Sequence, residues 1–124
     1  MIQQEDTNMG FFSKKNTASS SGGDSYLEIS VTKDKSEYTF LLEGRLDTVT
    51  SPELESRINE VIDDATKLTL DFAKLEYISS AGLRVLLGAL QNMEDKGEMV
   101  VCNLNRSVRD VFILTGFNQL FKTE

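Results

Sequence analysis

Tyr77-Ile78-Ser79-Ser80-Ala81-Gly82-Leu83 places two adjacent hydroxyls where the chain passes from a strand into a helix. Before it runs Lys67-Leu68-Thr69-Leu70-Asp71, which is apolar and β-prone. After it comes Arg84-Val85-Leu86-Leu87-Gly88-Ala89-Leu90, whose leucines recur at helical spacing. The start of a helix presents unpaired backbone N–H groups and the positive end of the macrodipole. A phosphate is well tolerated there. A phosphoryl group on Ser80 would be stabilised locally and would add about −1.5 to −2 charge to the surface. That is the chemistry of a switch.

Working outward, the elements follow in a regular order. Leu27-Glu28-Ile29-Ser30-Val31-Thr32 alternates with period two and reads as a strand with one wet face. Lys33-Asp34-Lys35-Ser36 is a polar turn, and Tyr38-Thr39-Phe40-Leu41-Leu42 is the antiparallel return strand. Gly44-Arg45-Leu46-Asp47 ends that strand. Thr50-Ser51-Pro52-Glu53 carries a capping hydroxyl, a first-turn proline and an acid that complements the dipole. The helix it opens has an apolar stripe of Leu54, Ile58, Val61 and Ile62, and Asp63-Asp64 should stop it. The strand at 67–71 is expected to reach Ser79 through a short link. The next helix should bury Leu83, Leu86, Leu87 and Leu90 and end before Gly97 as a C′ residue. Residues 99–102 form an apolar strand of the kind buried in parallel sheets. Asn105 or Ser107 caps a last helix carrying Val108, Val111 and Phe112, closed by Gly116. Phe117, Leu120 and Phe121 are expected to pack the C-terminus down. The predicted class is α/β in β-β-α-β-α-β-α order, with packed helices on a mixed four-stranded sheet whose later strands are parallel.

Composition limits the function. The chain has 124 residues, 40% of them apolar, and a net charge of −7. It suits one small domain. Its acidity argues against direct nucleic-acid partners and anionic membranes, which need clustered Lys and Arg. No apolar run reaches the roughly 18–20 residues that span a bilayer, and no signal-peptide pattern opens the chain. A cytoplasmic protein is expected. There is no histidine, so a Ser-His-Asp triad and most transition-metal sites are excluded, and no metal or cofactor is expected. The single cysteine, Cys102, reads as a small core hydrophobe. No nucleotide-binding Gly-rich loop is present.

Residues 1–25 read as a disordered tail, on the strength of Asn16-Thr17-Ala18-Ser19-Ser20-Ser21-Gly22-Gly23. Met9-Gly10-Phe11-Phe12-Ser13-Lys14-Lys15 does not fit a myristoylation signal, because Gly10 does not follow an initiator methionine. Two lysines against three acids give the tail a charge of −1, which leaves −6 for residues 26–124.

In sheets of this kind, function gathers beyond the carboxyl ends of strands. The Ser79-Ser80 loop leaves such an end, and the Gly44–Asp47 turn should neighbour it. Taken as residues alone, either serine serves equally well as a helix N-cap. Asp47 reads as a solvated turn residue, and Asp71 as a structural residue at a strand end.

The order of elements and the run from Tyr77 to Leu87 resemble the STAS domain family, and more narrowly the bacterial anti-sigma factor antagonists. The resemblance covers residues 26–124. It includes Gly44-Arg45-Leu46-Asp47, Leu70-Asp71-Phe72 and the segments from Gly97 to Leu104 and from Val108 to Phe121. It implies that Ser80, followed by Ala81-Gly82-Leu83, is a phospho-acceptor, with Ser79 as the alternative. Well-studied members carry aspartate before the acceptor, where this chain has Ser79. The resemblance implies partner binding through Asp47, Ser79, Ala81, Gly82 and Leu83, with Leu83 as a partly exposed contact. It implies a non-enzymatic protein that sequesters an anti-sigma factor serine kinase of the GHKL type and so frees a sigma factor. A serine phosphatase would restore the binding form. The alternative reading is a STAS subunit of a transporter or sensory complex unrelated to sigma factors.

Overall fold

The computed structural model describes residues 26–124. The tail expected at 1–25 lies outside the described residues. The elements are β1 (Leu27–Asp34), β2 (Glu37–Leu46), α1 (Ser51–Val61), β3 (Lys67–Ile78), α2 (Ser80–Met93), β4 (Glu98–Cys102), α3 (Arg106–Thr115), a 3-10 turn (Phe117–Gln119) and β5 (Lys122–Thr123).

The sheet has five strands in the order β1-β2-β3-β4-β5, not four. β1 and β2 form the antiparallel hairpin, turning at Lys35, whose φ of 58° is left-handed. β3, β4 and β5 each run parallel to the preceding strand. The extra strand is only two residues long, pairing Val100 with Lys122 and Val101 with Thr123. Two residues give no periodicity, so sequence pattern could not reveal it.

β3 differs more. It runs twelve residues to Ile78 and has no separate link. Its register against β2 shifts between Leu41 and Glu43 and again between Gly44 and Arg45. The irregular stretch breaks alternation, so Asp71 lies within the strand. There its Oδ1 accepts from the Ala73 N–H at 2.9 Å and from Asn103 Nδ2 at 3.1 Å.

One core joins the layers. Phe40, Leu42, Leu46, Leu68, Leu70, Phe72 and Leu75 from the sheet meet Leu54, Ile58, Leu86 and Phe112 from the helices, all essentially inaccessible. Phe112 anchors the last quarter of the chain. Its ring packs edge-on against Phe72 and Phe117 at 6.2 Å, and at 6.0 Å from Phe121. Leu120 does not join them and stays about half exposed. The stripe of α2 is also rotated from expectation. Leu83 and Leu86 are buried together with Gly82, Ala89 and Met93, while Leu87 and Leu90 are only partly covered.

Helix ends follow local chemistry. Asn105 Oδ1 accepts from the Val108 N–H at 2.9 Å and caps α3, and Gly116 closes it with φ of 79°. Gly97 is not a C′ residue. It lets the backbone approach the carbonyl of Thr66, which a Cβ would meet at 1.9 Å. Cys102 is partly exposed. Burial, and the nearby charges of Asp71 and Glu124, push its thiol above the ordinary range, which disfavours a reactive thiolate.

No helix among the described residues is long and apolar enough to cross a membrane. No cluster of His, Cys, Asp or Glu among them could hold a metal ion.

Candidate functional site

The site forms where β2 and β3 end side by side. Arg45 pairs with Tyr77, and Leu46 pairs with Ile78. The backbone N–H of Ser79 then donates to the Leu46 carbonyl at 2.9 Å. The Gly44–Asp47 turn and the Ser79-Ser80 loop are therefore neighbours, as expected.

Ser79 is the N-cap of α2, with extended backbone at φ −102°, ψ 177°. Its carbonyl accepts the first intrahelical bond, from the Leu83 N–H at 3.0 Å. Its side chain makes no capping hydrogen bond. The Ser79 Oγ is buried and meets no hydrogen-bond partner among the described residues. Ser80 is the first residue of α2 and is exposed. The two hydroxyls are thus unequal. Only Ser80 presents its oxygen to an approaching protein, and it does so beside the unpaired N–H groups of the first turn.

Gly82 explains the close fit of this turn against the sheet. A Cβ there would meet Leu46 Cγ at 2.8 Å and Ile78 Cγ1 at 2.9 Å. Side chains on both strand ends leave no room for a methyl group. Leu83 follows it inward and is 6% exposed. The expectation of a partly exposed contact is corrected: Leu83 sits in the core, because the turn lies flat on the strand ends. Ala81 is partly exposed. Of the five residues expected to meet a partner, Gly82 and Leu83 are buried, while Asp47, Ser79 and Ala81 are partly exposed.

Asp47 organises the facing loop. Its Oδ1 accepts from the N–H groups of Val49 at 2.9 Å and Thr50 at 3.1 Å, and lies 3.3 Å from the Thr50 hydroxyl oxygen. The Thr50 Oγ1 donates to the Arg45 carbonyl at 2.8 Å and accepts from the Asp47 N–H at 2.9 Å. The Ser51 hydroxyl donates to the Asp47 carbonyl at 2.5 Å. These bonds explain why Thr50 and Ser51 are buried although polar. Thr50 is the N-cap of α1 by position, yet its hydroxyl serves the loop and not the helix. This network fixes the loop and lifts Val49 into solvent at 65% exposure.

Two further groups were not singled out from sequence. The Arg45 guanidinium lies over the Tyr77 ring at 4.2 Å, and its Nε lies 3.9 Å from Asp47 Oδ2. Tyr77 is 40% exposed. A signal existed in the spacing. Arg45 and Tyr77 each stand one residue before the end of neighbouring parallel strands. Without the register, however, their pairing was not legible.

The surface therefore offers Ser80, Ala81, Tyr77, Arg45 and Val49 around an ordered acidic loop. An open cleft of about 360 Å³ lies elsewhere, lined by Glu43, Lys74, Leu75 and Asn105.

The sequence model of the STAS domain matches residues 28–124. The chain belongs to the STAS domain family. Among curated relatives, BtrV of Bordetella bronchiseptica, a protein named as an anti-sigma factor antagonist, is 40% identical over 82 residues. That match covers 64% of this chain and 71% of BtrV. An anti-sigma factor antagonist from Mycobacterium paratuberculosis has a similar crystal structure, with a TM-score of 0.74 at 24% identity, over 79% of this chain and 85% of that one. The unphosphorylated form of the anti-sigma factor antagonist SpoIIAA matches with a TM-score of 0.69 at 20% identity, covering 80% of this chain and 88% of SpoIIAA. A phosphorylated form of SpoIIAA is also similar in fold, with a TM-score of 0.63. The five-stranded sheet and three helices of this STAS domain are thus those of its structural relatives.

Proposed function

We propose that this STAS domain is an anti-sigma factor antagonist switched by phosphorylation of Ser80. The unmodified domain binds an anti-sigma factor and so frees a sigma factor for transcription. The anti-sigma factor is a GHKL-type serine kinase, and it inactivates the domain that sequesters it. The γ-phosphoryl group passes from ATP to Ser80 Oγ. The bond to the ADP oxygen breaks, the Oγ–P bond forms, and the hydroxyl proton leaves to a base on the kinase. A metal-dependent serine phosphatase hydrolyses that ester and restores the binding form. In this cycle Ser80 is a substrate, and the domain itself catalyses nothing.

The observation that carries the reading is the inequality of the two serines. Ser80 is exposed on the first turn of α2, whereas the Ser79 Oγ is buried. The relatives named as anti-sigma factor antagonists support the role. The physics of the switch is also consistent. A dianion placed in a desolvated contact without a partner costs about 2–5 kcal/mol. No change of fold is needed.

Intact-mass spectrometry tests it. The chain is incubated with ATP and GHKL-type kinases from the same genome. One added phosphate is expected on the unmodified sequence and on Ser79→Ala, and none on Ser80→Ala. Full phosphorylation of Ser80→Ala would overturn the assignment and move it to Ser79.

A further inference from the structure

We infer that the guanidinium of Arg84 captures the phosphate carried by Ser80, so that the phosphorylated domain holds its own charge in an intramolecular clamp. The inference rests on Ser80 being the acceptor and deepens that reading.

Ser80 and Arg84 stand four residues apart on α2, and both are exposed. Residues at this spacing share a helix face, with Cβ atoms about 5–6 Å apart. Helical side chains lean towards the N-terminus, so a long side chain covers the turn before its own. Arg84 therefore leans over the turn that begins at Ser80. The order also suits the pair, because an anion N-terminal to a cation at this spacing is the better arrangement.

Arg84 has no competing anion on its own helix. Positions three and four away on either side hold Ala81, Ser80, Leu87 and Gly88. The first turn of α2 contains no acid. Among the described residues Arg84 makes no ion pair, whereas Arg45 is already engaged with Asp47 and Tyr77. A phosphate offers three acceptor oxygens, and a guanidinium meets two of them with parallel N–H bonds. The free N–H groups of the first turn approach the phosphate from the helix end. Capture has a consequence for binding. Arg84 is an exposed cation on a domain of charge −6, and the phosphate removes it from the surface offered to a partner.

The test uses the full chain with phosphoserine installed at position 80 during synthesis. The result then does not depend on which serine a kinase selects. The phosphate is titrated by 31P NMR in the unaltered background, in Arg84→Ala and in Arg84→Lys. A phosphoserine ordinarily takes its second proton near pH 6, at about 6. The clamp predicts a midpoint below that value, raised by about 0.2–0.4 pH units in Arg84→Ala. Arg84→Lys should fall between the two, since it keeps the charge and loses the fork. Thermal melts of the unmodified forms, with and without Arg84→Ala, should coincide, which shows that the variant folds. Equal midpoints in the Arg84→Ala and unaltered proteins would overturn the inference, as would a lower midpoint in the variant.

Discussion

The backbone N–H of Ser79 donates to the Leu46 carbonyl at 2.9 Å, which ties the Ser79-Ser80 loop to the end of the neighbouring strand. The bond sets the height of Ser80 above the sheet. It also places Ser80 on the same surface as the loop that Asp47 organises. Because the contact is between main chains, its geometry depends on how closely α2 approaches β2 and β3. Gly82 and Leu83 control that approach, so their effects on stability precede any effect on binding.

Leu83→Ala is expected to destabilise the domain by about 2–5 kcal/mol, since the side chain is buried and its removal leaves a cavity. Chemical denaturation measures this directly. Partner affinity of the folded fraction should change little. A small stability change with a large loss of affinity would place Leu83 at the interface and contradict the structure.

Asp47→Ala removes an acceptor used by two backbone N–H donors within the loop, those of Val49 and Thr50. A loss of about 1–3 kcal/mol is expected, because the Thr50 N–H lies in a partly buried position. Asp47→Asn keeps an oxygen in the same place and should lose much less. Thermal unfolding of the two variants separates the hydrogen-bonding role from charge. Equal losses would make the negative charge the important feature.

Much of this was legible beforehand, and the failures have identifiable causes. Period-two alternation located β1 and β2, and the Leu54–Ile58–Ile62 stripe located α1 correctly. Asn105 or Ser107 was expected to cap α3 and Gly116 to stop it; Asn105 is the cap and Gly116 the stop. The irregular stretch of β3 hid seven of its residues, because a register shift destroys the alternation that announces a strand. Leu83 was misplaced for a different reason. The leucine spacing of α2 gives its apolar face, but not how flat its first turn lies on the strand ends. That follows from Gly82, whose missing side chain matters only once Leu46 and Ile78 are seen against it. The unequal serines were illegible for the same reason, as adjacent residues in sequence carry no record of which one turns inward.

Stability should fall in acid through Asp64. The Tyr38 hydroxyl donates to its Oδ2 at 2.6 Å, and Lys33 lies 3.5 Å away. The Tyr38 bond, then the Lys33 charge, hold this carboxyl below its ordinary value. A depressed folded value means the unfolded chain binds the proton first as pH falls. The contribution is therefore present in full above about pH 4 and lost below it, as pH passes through the folded value. Asp64→Asn should flatten that part of the acid limb in melts recorded from neutral pH downwards. An unchanged acid limb would show that the pair adds nothing, as many exposed pairs do.

The most direct test of the switch is the affinity of the kinase-type anti-sigma factor for the full chain with serine or with phosphoserine at position 80. Isothermal titration at one fixed salt concentration compares the two. Both forms should be folded, with the phosphorylated one melting at or slightly above the other. The account predicts that phosphate weakens binding by roughly 30- to several-thousand-fold, from a cost of about 2–5 kcal/mol. Equal affinities for two folded forms would contradict it.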